Sequence, residues 1–347
     1  MTPMPDPQAA TCPAPRAETE RVLLGHGSGG QLMAELLGDL TPRLGMNVLE
    51  DAAVVPVGQD EIVVSTDAFV VTPRFFPGGD IGSLAVHGTI NDIAMMGARP
   101  VALSLAYIVE EGLSLAELTA VTSSVAAVAG ACGVPVVTGD TKVVGHGAAD
   151  GLYVITSGFG VRLPTARPSA TGGRPGDAVL LSGPIGLHGV TILSTREGLG
   201  FDTEIASDTR PLHRLVHAMI DAGGPHVHAM RDPTRGGLAS ALNELATGIG
   251  VELDEPAIPV PHQVAAACEL LGLDPLHVAN EGCLVAFVAP EAAGRVLAAM
   301  RATPEGAAAC RIGEIVAGHP GRVTMRTVVG STRVVDMLIG EQLPRIC

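Results

Sequence analysis

The chain has 347 residues, 47% of them hydrophobic and 16% charged, which is too long for one ordinary core and apolar enough for a large buried interior. Its formal charge of −15 argues against a nucleic-acid backbone as partner; carboxylates in such excess either keep a protein soluble or gather around a divalent cation. Six cysteines at irregular spacing, none in a C-x-x-C pair, argue against a disulfide framework or a zinc site and fit a reducing cytoplasm.

Residues 1–20, rich in Pro and Ala and without an apolar signal region, read as a disordered extension. Val22-Leu23-Leu24 then leads into Gly25-His26-Gly27-Ser28-Gly29-Gly30 and a helical pattern from Gln31 to about Leu40. Strand patterns follow at 53–57, 62–66 and 101–107, with a helix over 83–96 between the last two. Ser114-Leu115-Ala116-Glu117 predicts a capping box at the start of the next helix. The uncharged stretch 118–137 has the length of a membrane span, but its Ser, Thr, Gly and Pro content predicts a helix ending near Gly130 or Gly133, then a buried strand. That strand, 134–137, is expected to run into a loop, Thr138-Gly139-Asp140-Thr141-Lys142, and a further strand covers 153–160.

The pattern is α+β in character, with an antiparallel or mixed sheet. A Pro/Gly-rich break at 162–177 is the expected domain boundary, separating a first domain, 21–165, from a second, 176–322. The second half predicts strands at 178–182, 251–253, 283–288 and 311–316, and helices near 208–222, 236–248, 262–272 and 290–301. Two short strand-like runs, 323–329 and 333–338, precede a tail ending in Pro344-Arg345-Ile346-Cys347. Aromatics are only 2%, so the core is built from Ala, Val, Leu and Ile, and Cys132, Cys268, Cys283 and Cys310 read as small buried hydrophobes.

Several segments carry chemistry. The Gly-rich run before the first helix can offer backbone N–H groups from Gly27, Ser28 and Gly29 to a phosphate, although it matches neither a P-loop nor G-x-G-x-x-G and such loops are common. Asp51, Asp67, Asp92 and Asp140 fall at strand ends or, for Asp92, inside the apolar run Ile90-Asn91-Asp92-Ile93. A carboxylate there wants a partner, and oxygen ligands from several loops suit Mg²⁺ with nucleotide phosphates; caps and turn acids are the plain alternative. Lys142 can neutralise phosphate or be a surface lysine. In Arg231-Asp232-Pro233-Thr234-Arg235-Gly236-Gly237, Asp232 caps a helix or holds metal. Glu281, in Asn280-Glu281-Gly282 before an apolar strand, is a general base or a turn acid. The eleven histidines show no metal-binding spacing. Cys347 is the last residue of the sequence. Pro344 biases the tail toward extension, Arg345 should lower the thiol pKa and a terminal carboxylate raise it; a frayed end is the bland reading.

Together, 25–30, 65–67, 75–79, 91–92, 138–143, 231–237, 280–282 and the closing Pro-Arg-Ile-Cys resemble the HypE family of hydrogenase maturation proteins, from about residue 22 to the end. That resemblance implies a PurM-like α/β N-terminal domain, an α+β C-terminal domain and a flexible tail, 323–347 including its short strands. It also implies a cytoplasmic homodimer formed through the N-terminal sheets, with ATP and Mg²⁺ bound near that interface. The implied activity is ATP-dependent dehydration of S-carbamoyl-Cys347 to a thiocyanate, the carbamoyl group coming from HypF and the cyanide going to iron on HypC–HypD for [NiFe]-hydrogenase. No nucleic acid or membrane enters. Asp51, Asp67, Asp92, Asp140 and Asp232 are then the expected metal and phosphate ligands, with Asn91 and Arg235 beside the phosphates. Lys142 is expected to stabilise developing charge and Glu281 to take the proton from nitrogen. The nearest rival, a selenophosphate synthetase, needs a reactive Cys near its N-terminus, and Cys12 lies in the expected extension. A non-catalytic carrier that relays a group on Cys347 is the other alternative.

Overall fold

The computed structural model describes residues 21–46, 50–199, 205–338 and 346–347. The expected N-terminal extension and the tail segment 339–345, Pro344 and Arg345 included, lie outside the described residues.

After the helix α1 (Gln31–Leu40), the first sheet has five strands in the order β1 (Ala53–Val57), β2 (Asp60–Phe69), β7 (Leu152–Arg162), β5 (Ala98–Glu110), β6 (Val136–Val144), while β3 (Phe75–Phe76) and β4 (Gly79–Asp80) pair separately as a short antiparallel ribbon. Only β5 and β6 run parallel, so the sheet is mixed, as the sequence pattern predicts. The helix α2 (Ile81–Met95) lies across its inner face. Every residue of α2 except Asp92 is buried, which is why its sequence is apolar all round. Asp80 caps it, its Oδ1 accepting from the Gly82 and Ser83 amides at 2.7 and 3.1 Å. Gly158 on β7 lets the helix come close, since a Cβ there would stand 2.7–2.8 Å from Leu103 and Ile93.

Three expectations need correction in this half: the cap at Ser114, the burial of the strand after α3 (Leu115–Cys132), and the loop at 138–142; the end of α3 at Gly133 is as expected. Ser114 makes no side-chain cap at the start of α3, and Glu117, the other half of the expected box, is drawn into an ion pair with Arg74. By length and composition α3 passes for a membrane span, yet it packs as a surface helix, burying one stripe at Val121, Val125 and Ala129 and ending at Gly133 with φ 69°. The strand after it is not buried. β6 runs unbroken from Val136 to Val144 as the edge of the sheet, with eight of its nine residues exposed, so 138–142 is strand rather than loop.

The second sheet has seven strands in the order β14 (Thr332–Val334), β13 (Arg322–Arg326), β10 (Gly250–Asp254), β12 (Cys310–Val316), β8 (Ala178–Leu181), β11 (Val285–Val288), β9 (Val227–Arg231). Its central strands β8 and β11 are buried on both faces and accordingly read as unbroken apolar runs. Leu180 and Ala286 pack toward α5 (His213–Gly223) and α8 (Pro290–Arg301), meeting Leu215, Met219 and Val296. Val179, Leu181 and Val285 point the other way, onto Leu238 and Leu242 of α6 (Gly237–Leu245). Each of these buried Val, Leu and Met side chains contributes about 1.5–3 kcal/mol. The helix α7 (His262–Leu271) packs on α4 (Leu187–Glu197) through Val264, Cys268 and Val190. The sequence pattern missed α4, where Val190, Thr191 and Ile192 form a β-branched run that weakens the helical signal, and the short strand β9.

Polar clips tie the two halves together. The Glu50 carboxylate accepts from Ser169 Oγ and the Ala170 amide, both at 2.7 Å. Asn91 in α2 donates to the Arg210 carbonyl at 3.1 Å and accepts from the Leu212 amide at 2.7 Å.

Candidate active site

Asp51 precedes β1, Asp67 lies in β2, Asp92 in the last turn of α2, and Asp232 just after β9. The fold draws them from four elements into one mutually repelling cluster. Asp92 Oδ2 accepts from Ser65 Oγ at 2.7 Å. Burial is the leading cause that raises the Asp51 carboxyl to about 6, with Arg231 pulling the other way. Burial, then Asp67 and Asp232, pushes Asp92 well above the usual carboxylate range; burial, then Asp51 and Asp67, does the same to Asp232. The cation built in among them, Arg231, is divided between Asp51 at 3.2 Å and Glu244 at 2.6 Å. Buried acids that repel one another from four elements are a fit for a divalent cation. Among the described residues no three His, Cys, Asp or Glu side chains stand close enough to cage an ion alone. A cation held here would need phosphate oxygens and water to complete its shell.

Beside the cluster sits Glu281, 3% exposed, its Oε1 without a hydrogen-bond partner. Burial, then Asp232 and Asp208, raises its pKa well above the ordinary range. The loop that carries it is fixed from several sides. Asp208 accepts from the Glu281 and Gly282 amides at 3.1 and 3.0 Å, and Arg210 Nε donates to the Gly282 carbonyl at 2.7 Å. Position 282 must be glycine, because a Cβ would collide with the Asp208 carbonyl. Asn280 binds this loop to the one that carries Asp232: its amide nitrogen donates to the Pro233 carbonyl at 2.9 Å, while its oxygen accepts from the Gly186 amide at 2.6 Å.

The end of the chain is docked here. Ile346 is buried, in the same apolar cluster as Phe76, Leu84 and Ile192, and Cys347 packs against that cluster. The Ile346 carbonyl accepts from His188 Nε2 at 2.7 Å. Burial pushes the Cys347 thiol up to about 12; Arg235 opposes the shift, while Glu281, Asp67 and Asp232 add to it. One constellation thus holds Asp51, Asp67, Asp92, Asp232, Arg235, Glu281 and Cys347.

Asp140 and Lys142 are not in it. Through the ladder, Asp140 aligns with Ala106, Ile155 and Ala68, three strands from β2 and about 14 Å across. Because Ala68 neighbours Asp67 along the strand, Asp140 and, two residues on, Lys142 point to the opposite, outer face of the sheet. Asn91 is also displaced from its expected role: the bonds to Arg210 and Leu212 occupy its amide as an interdomain clip. In the Gly-rich run, Gly29 (φ 76°) packs against the Arg235 backbone and the Gln31 amide donates to the Leu338 carbonyl at 2.7 Å. Ser28 Oγ donates to the Gly25 carbonyl at 2.8 Å, and the space around Gly27 is open. Sequence reasoning missed His188, Ser207, Asp208 and Arg210. The turn-rich run Ser207-Asp208-Thr209-Arg210-Pro211 signals a loop, but nothing in it reveals what the loop holds.

Comparison with known proteins extends this picture. The family described as AIR synthase related protein matches in two parts, its N-terminal domain over residues 49–162 and its C-terminal domain over 174–326. The chain is 55% identical to the carbamoyl dehydratase HypE of Azotobacter vinelandii, over 93% of this chain and 96% of that one. Among solved structures, a HypE–HypF complex aligns with a TM-score of 0.84 and 42% identity, covering 89% of this chain and 100% of the other. A HypE in complex with ATP aligns with a TM-score of 0.80 and 45% identity, covering 94% and 100%.

Proposed function

The chain belongs to the carbamoyl dehydratase HypE family, and from that premise we propose that its own Cys347, once carbamoylated, is the substrate it dehydrates with ATP. The observation that carries this reading is the docked end of the chain. The thiol position lies close to the buried Glu281 carboxyl, whose Oε1 has no hydrogen-bond partner, and next to an acidic cluster suited to a metal–nucleotide.

An amide oxygen is a poor leaving group. In the reaction, the carbamoyl oxygen of S-carbamoyl-Cys347 attacks the γ-phosphorus of ATP, the bond to the β-phosphate oxygen breaks, and ADP departs as one N–H proton is lost. Removal of the second N–H proton then breaks the C–O bond, leaving S–C≡N and inorganic phosphate, in which the oxygen of the lost water departs. Docking the tail makes enzyme and substrate one molecule, which removes the entropic cost of bringing them together. Glu281 takes a proton from nitrogen, and its burial makes it a stronger base than an exposed carboxylate once it is ionised. Asp51, Asp67, Asp92 and Asp232 are the residues that would hold Mg²⁺, which neutralises phosphate charge when bound. Arg235, close to the thiol, steadies the transferring phosphoryl group in this reading.

Lys142 and Asp140 act from a second copy of the chain. Within one chain they face away from the cluster, on a sheet face that also leaves Val55, Val64 and Phe159 exposed. A homodimer through this face covers those side chains and delivers Lys142 to a neighbouring site. Attack of the thiol on a carbamoyl donor needs the thiolate, and a docked thiol raised to about 12 is protonated at neutral pH. Loading by HypF therefore takes place with the tail withdrawn, and docking suits the neutral, loaded group. Cyanide transfer to iron on HypC–HypD again takes place outside.

The test is the mass of the tail peptide after incubation with HypF, carbamoyl phosphate and Mg-ATP, with Cys347→Ala as control. A carbamoyl adduct on Cys347 that loses one water only with ATP supports dehydration. An adduct that never loses water makes the chain a carrier instead.

A further inference from the structure

His188 opens α4, is fully buried, and stands edge-on to Phe76, with ring centroids 5.6 Å apart at 85°. Its two nitrogens have different partners. A carbonyl only accepts, so the contact to Ile346 at 2.7 Å places the ring proton on Nε2. Burial lowers the ring's pKa, keeping it neutral, so Nδ1 accepts from Ser207 Oγ at 2.8 Å. Ser207 Oγ in turn accepts from the Thr209 amide at 3.1 Å, and the Ser207 amide donates to the Pro77 carbonyl at 2.9 Å. The tautomer that grips the tail is thus fixed by a chain of bonds anchored in backbone. The residue after Ser207 is Asp208, whose carboxylate holds the Glu281 and Gly282 amides. Two adjoining residues therefore carry the two reacting parts: Ser207 through His188 to the Cys347 peptide, and Asp208 directly to the loop of the base.

We infer that His188, oriented by Ser207, is the positioning residue that seats the Cys347 end of the chain in register with Glu281. The inference rests on the dehydratase reading for its purpose and on the geometry alone for the docking. It is distinct from the chemistry of Glu281, because His188 touches the tail backbone rather than the reacting group.

Alkylation of Cys347 by N-ethylmaleimide in the unloaded full-length protein, followed by peptide mass spectrometry, reads docking without ATP or partner. A docked thiol reacts through its undocked fraction, so loss of one buried hydrogen bond raises the rate about three- to tenfold. His188→Leu is expected to show that rise, with Cys132 as an internal reference at an unchanged rate. His188→Gln, which keeps an N–H donor near the Nε2 position, is expected to stay within about twofold of wild type. Ser207→Ala, which frees Nδ1 and the Thr209 amide but leaves the Nε2 bond to the tail in place, should move the rate in the same direction by less, and serves if His188→Leu does not fold. Wild-type alkylation rates in His188→Leu and Ser207→Ala overturn the inference, as does a His188→Gln rate matching that of His188→Leu. The same variants, loaded on Cys347 and given Mg-ATP in a single turnover, separate the two claims. If wild type never forms thiocyanate while the alkylation pattern holds, the dehydratase reading falls and the docking stands. If wild type dehydrates and His188→Leu does so at the same rate, the positioning role falls alone.

Discussion

The buried loops around Glu281 and the exposed edge strand β6 carry the same kinds of residue and are built in opposite ways. At Glu281 every supporting group is in place within one chain: Asp208, Arg210 and Asn280 fix the backbone, and His188 fixes the tail. On β6, Asp140 and Lys142 stand in the open on the far face of the sheet. A carboxyl oxygen is left without a hydrogen-bond partner only where packing excludes water, so the proposed base is completed internally. A strongly hydrated lysine costs nothing while exposed and can await a second chain. In the proposed homodimer the site divides into a half that folding finishes and a half that assembly finishes.

The largest expected effect is on the finished half. Glu281→Gln keeps the shape and removes the base, and should lower single-turnover thiocyanate formation by about 10²–10⁴-fold with ATP binding retained. Retention of the wild-type rate would assign the proton to another group. Next comes the division itself. Lys142→Ala and Cys347→Ala, each inactive alone, should restore about a quarter of wild-type activity when mixed and allowed to exchange subunits, since half the dimers then contain one intact composite site. No recovery on mixing would place Lys142 and Cys347 of the same chain in one site and break the comparison.

The acidic cluster gives a smaller, pH-dependent effect. The folded Asp51 pKa of about 6 lies above its ordinary 3.8, so its contribution is fully present below about pH 4 and is lost as pH rises through 6. Asp51→Asn should therefore stabilise the metal-free protein at pH 7 by about 1–3 kcal/mol and flatten the fall in melting temperature between pH 4 and 6. Added Mg²⁺ should raise the wild-type melting temperature more than that of the variant. A wild type whose stability rises over the same window would remove the argument for a cation site. Smallest is Asp208→Asn, which keeps one acceptor for the Glu281 loop; a drop of about three- to tenfold in single-turnover rate is expected, with little change in melting temperature.

The same contrast explains what the sequence makes legible. Asp92 stands out because a lone acid in an otherwise apolar helix has to meet a partner, and it does. Glu281 stands out before an unbroken apolar strand. The mixed first sheet, the buried pair β8 and β11 and the helices that cover them follow from periodicity. What stays hidden depends on partners distant in sequence. Nothing around residue 91 says that its amide closes on residues 210 and 212, and nothing near residue 208 says that it holds 281. Ser114 has the right spacing for a cap and loses Glu117 to Arg74, a competitor 43 residues away. The strand through 138–142 looks like a loop because its polar, Gly-containing run lacks the alternation of a half-buried strand. That is the pattern of an edge left uncovered within one chain.

The most direct test of the account is a rapid-quench single turnover of the protein loaded with carbamoyl on Cys347, measuring ADP and thiocyanate together after Mg-ATP is added. The two should appear in equal amounts and at the same rate, with thiocyanate formation by Glu281→Gln lowered about 10²–10⁴-fold. ADP formed at the same rate with an intact carbamoyl group on Cys347 would contradict it, and would make ATP a control on tail position rather than the reagent that removes the oxygen.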